Sequence, residues 1–187
     1  MALPKIEKNT FFPSDGKRLA LSRWQPADAP WAVIVALHGF NGYRKIFEKP
    51  AEFFNDNGIL VLAYDQRGFG EDAEAGLWAG GAALADDLET FLSLAKAEHP
   101  DLPVFLLGES MGAAVILKAM AGREEADALI LLGPAVWGWS EMNPFYEAVL
   151  KLTTRLFPYV KFSGRRFGRL PSDNLAMLQE LAADPLV

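Results

Sequence analysis

Four stretches of the chain are almost purely apolar and only four to six residues long: Ala32–Leu37, Ile59–Tyr64, Val104–Leu107 and Ala128–Leu132. Val, Ile, Leu and Ala dominate them, and no charged residue interrupts them. Runs of this kind predict strands of a parallel sheet, whose two faces are both covered by helices. Between the runs the period lengthens. Ala82–Ala97 carries Leu84, Leu88, Phe91, Leu92 and Ala95 at helical spacing, with acidic residues on the other side. Arg44–Asn57 and Met111–Ala121 read as two more helices, ending at Gly58 and Gly122, the residue type that most easily closes a helix. Alternation of strand and helix predicts an open α/β sheet built from right-handed crossovers.

The pattern differs at both ends. Asn9–Phe12 and Arg18–Trp24 flank Ser14-Asp15-Gly16, which predicts a hairpin, so the sheet begins antiparallel and becomes parallel. After Pro134, aromatic residues crowd a stretch broken by Pro144, Pro158 and Pro171. The net charge moves from −7 over residues 1–134 to +1 over residues 135–187. Two parts are therefore expected, a core over 1–134 and a mostly helical element over 135–187.

Composition narrows the chemistry. The 187 residues are 51% hydrophobic with a net charge of −6, a soluble globular profile that speaks against nucleic acid as a partner. The absence of cysteine excludes disulfides and thiolate catalysis, and with only His38 and His99 present no metal or other cofactor is expected. Residues 1–15 lack a signal pattern and no apolar run is long enough to span a bilayer, so the expected compartment is the cytoplasm.

The candidate chemistry lies at Gly108-Glu109-Ser110-Met111-Gly112, directly after one strand-like run and directly before a helical one. In that setting a G-x-S-x-G turn holds the serine out as a nucleophile. Its flanking glycines remove side chains where strand and helix backbones pass closely. The Met111 amide, at a helix start, has no intrahelical acceptor and is free for an oxyanion. A second donor is expected from His38-Gly39-Phe40-Asn41-Gly42, which follows the first parallel strand, with the Phe40 amide best placed.

Four stretches together resemble the α/β-hydrolases, and within them the monoacylglycerol lipase and lysophospholipase branch (the serine-aminopeptidase-like enzymes): His38-Gly39-Phe40, Tyr64-Asp65-Gln66-Arg67-Gly68-Phe69-Gly70, Gly108 to Ala114, and Ala183-Asp184-Pro185-Leu186-Val187. The resemblance implies a mostly parallel sheet with an antiparallel N-terminal hairpin and a helical cap. It implies Ser110 as nucleophile, Phe40 and Met111 as oxyanion-hole amides, and residues from about 135 onward as a lid over an acyl pocket, with Trp137 and Trp139 as pocket candidates. Asp65 and Arg67 would belong to a structural turn. Glu71 departs from the family, which more often has serine there.

The family's triad runs Ser, Asp, His along the chain, and no histidine follows Ser110. His99 precedes the strand leading to Ser110 and is expected at the far end of the sheet; His38 is at the correct end, where its family counterpart supports the oxyanion loop. The expectation is accordingly a chain that stops inside the cap, with the last strands and the triad Asp and His absent. The substrate class implied is a small acyl ester such as a monoacylglycerol or lysophospholipid. Thioesterase or peptidase chemistry at the same serine stays open, as does a catalytically incomplete protein that binds an apolar ligand or partner. Six basic residues between 148 and 170 (Lys151, Arg155, Lys161, Arg165, Arg166, Arg169) leave open a peripheral membrane contact through the cap. An amphipathic lid helix presenting Phe145, Val149, Leu152 and Leu156 to the body explains the same pattern. The oligomeric state is not legible.

Overall fold

A computed structural model describes residues 2–136, 143–156 and 173–186. The chain divides into two compact units, residues 1–135 with 186–187, and residues 136–185.

The first unit is built on a seven-stranded sheet: β1 (Lys5–Glu7), β2 (Thr10–Phe12), β3 (Leu19–Trp24), β4 (Ala32–Leu37), β5 (Ile59–Tyr64), β6 (Val104–Glu109) and β7 (Ala128–Leu132). Its spatial order is β1-β2-β3-β5-β4-β6-β7. Strands β1, β2, β3 and β5 pair antiparallel, while β5, β4, β6 and β7 run parallel. The expected change from antiparallel to parallel is therefore present. The hairpin turn closes through a Gly16 N–H bond to the Pro13 carbonyl, with Gly16 at φ 78°. Strand β1 has no counterpart in the sequence reading, because three residues with only Ile6 apolar give no periodic signal.

The apolar runs look uniform in sequence, yet the pleat sorts them onto two faces. Val33, Val35 and Leu37 of β4 join Leu60, Leu62 and Tyr64 of β5 under α2 (Gly81–Glu98) and α3 (Met111–Ala119). Ile34 and Ala36 join Val61 and Ala63 on the opposite face, with Phe47 and with Ala51 of α1 (Glu48–Asp56). On α2 the buried residues Leu84, Ala85, Leu88, Phe91, Leu92 and Ala95 form one stripe. The helix expected over 44–57 is instead a 3-10 turn at Arg44–Phe47 followed by α1. Pro50 accounts for the break, since proline fits the first turn of an α-helix but not its interior.

One strand departs from the buried pattern. Leu129, Ile130 and Leu132 of β7 are exposed; among the described residues β7 pairs with β6 alone. The second unit contains α4 (Pro144–Leu156) and α5 (Leu175–Ala183). On α4, Phe145, Val149, Leu152 and Leu156 are exposed, and Lys151 pairs with Glu147 one turn away. Among the described residues no helix is long and apolar enough to cross a membrane.

The strand order positions the site. From β4 the chain crosses to β5 on one side, whereas from β6 it crosses to β7 on the other. The loops leaving the C-terminal ends of β4 and β6 consequently diverge, opening the crevice where doubly wound sheets place ligands.

Candidate active site

Ser110 sits between β6 and α3 with φ 53° and ψ −110°, a conformation an L-residue rarely adopts. Such strain costs about 1–3 kcal/mol and persists only where its surroundings enforce it. Here they do. The Ser110 N–H donates to the Leu132 carbonyl at 2.8 Å, and its own carbonyl accepts from Ala114 N at 3.2 Å and Ala135 N at 3.0 Å. The flanking glycines let strand and helix backbones meet. A Cβ on Gly108 would lie 2.6 Å from Ala113 Cα, and one on Gly112 would lie 2.8 Å from the His38 carbonyl oxygen. Met111 opens α3, so its N–H lacks an intrahelical acceptor.

The loop after β4 abuts this turn. A Cβ on Gly39 would lie 3.1 Å from Ser110 Cβ and would also strike the Glu109 carboxylate. Gly39 to Gly42 form a tight turn closed by a Gly42 N–H bond to the Gly39 carbonyl at 3.1 Å. Asn41 occupies its third position at φ 61°, a left-handed conformation that asparagine tolerates. Phe40 follows Gly39 in this turn, with its side chain exposed.

His38 is fully buried beneath the loop, and its hydrogen bonds determine its proton state. The Gln66 backbone N–H approaches Nε2 at 3.0 Å, so Nε2 must be the acceptor. The proton is therefore on Nδ1, which donates to the Gly39 carbonyl at 2.8 Å. The Gln66 side-chain amide donates to the His38 carbonyl at 2.7 Å. Burial pulls the His38 pKa down to about 4, only partly offset by the bond to Gly39. With both ring nitrogens engaged, His38 braces the loop and has no nitrogen to offer Ser110. His99 caps the far end of α2, before β6 begins, and a six-residue strand separates it from Ser110 by on the order of 20 Å.

The segment after β5 is held by ion pairs. The buried Asp65 accepts from Arg44 N at 2.9 Å, from the Arg44 guanidinium at 2.6 Å and from Glu71 N at 2.8 Å. Burial raises the Asp65 pKa, and these donors oppose that rise. Arg44 also donates to Glu71 at 2.6 Å, which gives the glutamate at this position a partner. Arg67 grips Asp87 of α2 with two bonds, at 2.5 and 2.8 Å, and reaches Asp15 at 2.7 Å. These contacts make Asp65 and Arg67 parts of a braced turn. The sequence reading did not anticipate Arg44, Gln66 or Asp87 as partners. The motif from Tyr64 to Gly70 was visible, but the groups that Asp65, Gln66 and Arg67 bond come from the loop and 3-10 turn after β4, from α2 and from the hairpin turn at Asp15.

Trp137 and Trp139 lie outside the described residues, as do Lys161, Arg165, Arg166 and Arg169. Among the described residues the structure thus brings together Ser110, Met111, Gly39 and Phe40, with His38 behind them.

A family model described as serine aminopeptidase, S33, matches residues 28–187. The chain belongs to this family. It is 28% identical to a monoacylglycerol lipase of Mycolicibacterium smegmatis, over 96% of this chain and 65% of that protein. It is also 28% identical to the monoglyceride lipase of Rattus norvegicus, over 93% of this chain and 58% of that protein. The chain thus spans less than two thirds of the length of either relative. Its fold matches a soluble variant of the Saccharomyces cerevisiae monoglyceride lipase, solved with a substrate analogue. That superposition has a TM-score of 0.75 and 21% identity, covering all of this chain and 63% of that one. The mixed sheet and this likeness bear out the α/β-hydrolase fold expected from the sequence.

Proposed function

We propose that the chain carries the nucleophile and oxyanion donors of a serine hydrolase acting on carboxylic esters of the monoacylglycerol or lysophospholipid type. Ser110 Oγ attacks the ester carbonyl, and the carbonyl oxygen gathers negative charge facing the Phe40 and Met111 amides. The bond to the alcohol breaks, the alcohol departs with a proton, and water then hydrolyses the acyl-serine. Neither His38 nor His99 can take the Ser110 proton, so the reading assigns the base and its orienting acid to groups outside residues 1–187. It assigns residues 135–187 to a cap and places the reaction in the cytoplasm or at a membrane face.

The observation that carries the reading is the strained backbone of Ser110 beside Gly39. A protein that only bound an apolar ligand would have no use for that strain. The relatives named as monoacylglycerol and monoglyceride lipases support the substrate class. The test is hydrolysis of a medium-chain monoacylglycerol by the natively expressed protein and its Ser110→Ala variant. Loss of at least about a thousandfold in kcat/KM is expected; retained turnover in the variant rules the assignment out.

A further inference from the structure

Beside the Gly39–Gly42 turn lies a row of rings that catalysis at Ser110 does not require. His38 meets Phe69 edge-on at 5.5 Å, Phe69 meets Phe40 edge-on at 5.3 Å, and Phe40 meets Trp78 at 6.5 Å. The row runs from the fully buried His38 to two rings left largely in water, Phe40 at 64% and Trp78 at 59% exposure. Leu77 next to Trp78 is exposed as well.

The loop that carries Trp78 is tied down. Gly76 N–H bonds the Gly68 carbonyl at 2.8 Å, Leu77 N–H bonds the Glu74 carbonyl at 3.0 Å, and Gly68 N–H bonds Asp72 at 2.6 Å. Gly68 has φ 84°, and a Cβ there would strike the Leu77 carbonyl, so the two sides of the loop touch. Lys17 pairs with Asp72 at 3.0 Å, and Arg67 joins the loop to Asp87 and Asp15. These bonds fix the backbone of the loop up to the residue before Trp78.

The geometry points to Phe40 and Trp78 as a platform for the hydrocarbon chain of the substrate, with Trp78 as a specificity-determining residue. This rests on the reading of Ser110 as nucleophile, because that reading makes an acyl ester the occupant. The argument is continuity. Phe40 supplies the proposed oxyanion amide with its backbone and the platform with its ring. A carbonyl held at that amide therefore has its substituents within reach of the ring. Neither Phe40, Phe69, Leu77 nor Trp78 carries charge, so the row offers contact area to methylene groups and no counter-charge to an anionic headgroup.

Calorimetric titration of decanoate into the natively expressed protein tests this without relying on turnover. Trp78→Ala should raise Kd about tenfold, the contact of roughly two methylenes, while Trp78→Phe should stay within about threefold. Phe53→Ala, an exposed ring on α1, should leave Kd unchanged. Unchanged decanoate affinity in Trp78→Ala overturns the inference. So does a variant that loses binding to phosphatidylcholine vesicles while keeping its decanoate affinity, since the rings would then serve a lipid surface. If Trp78→Ala does not fold, a diazirine-bearing decanoate on the unmodified protein decides: crosslinks at Phe40 or within residues 68–80 support the platform, and crosslinks confined elsewhere overturn it. Fluorophosphonate labelling of Ser110 run alongside separates the two readings. An unlabelled Ser110 with Trp78-dependent decanoate binding defeats the nucleophile and leaves the platform.

Discussion

Gly39 stands so close to Ser110 that a Cβ on the glycine would fall 3.1 Å from the serine Cβ. The two residues are 71 positions apart in sequence, yet β4 and β6 pair in register and deliver their C-terminal loops to one point. Gly39→Ala should therefore act on reactivity more than on stability. The Glu109 carboxylate can move aside, but the Ser110 side chain must turn or shift. The expected outcome is a fall of about tenfold or more in the rate of Ser110 acylation, because small displacements of a reacting atom are costly. Thermal unfolding of the same variant should change little.

Gly112→Ala should behave in the opposite way. Its Cβ would meet backbone that cannot yield, lying 2.6 Å from the Leu37 carbonyl carbon and 2.8 Å from the His38 oxygen. A loss of about 1–3 kcal/mol in denaturant unfolding is expected, with the turn at Ser110 displaced.

The neutral His38 makes stability depend on pH. Burial holds its folded pKa at about 4, below the ordinary histidine value of about 6.5. The contribution is complete above the unfolded pKa and is lost as pH falls from about 6.5 towards 4, because only the unfolded chain takes up a proton in that window. The loss reaches about 3 kcal/mol at the lower end. Comparing unfolding midpoints of the unmodified protein and His38→Asn between pH 7.5 and 4.5 isolates this part from the carboxylates. Nitrogen-15 spectra at pH 6 should show His38 neutral and protonated on Nδ1.

The two acids bound to Arg44 should differ in weight. Asp65 is buried and accepts from three donors, so Asp65→Ala should cost about 3–5 kcal/mol by removing the buried partner of the Arg44 guanidinium. Glu71 has a side chain 43% exposed, so Glu71→Ser should cost less than about 1 kcal/mol. Urea titrations of both variants check the ranking.

The same residues mark what could be read from sequence. The turn at Ser110 and the loop at His38 were legible because each is a short motif whose neighbours in sequence are also its neighbours in space. The parallel strands were legible as apolar runs, but not which faces they line; Val35 and Ile34 look alike until the pleat separates them. Strand β7 looked like the others, and among the described residues it has one neighbouring strand and exposed side chains. Arg67 with Asp87, Gln66 with His38, and Phe40 with Trp78 join residues 20 to 38 positions apart, and nothing local in the sequence announces them.

The account stands most directly on Ser110 as the reactive group. Treating the natively expressed protein with a fluorophosphonate and mapping the adduct by peptide mass spectrometry tests it. The account predicts a single adduct on Ser110 that is absent from Ser110→Ala. Labelling that persists in that variant, or an adduct on another residue, would contradict it.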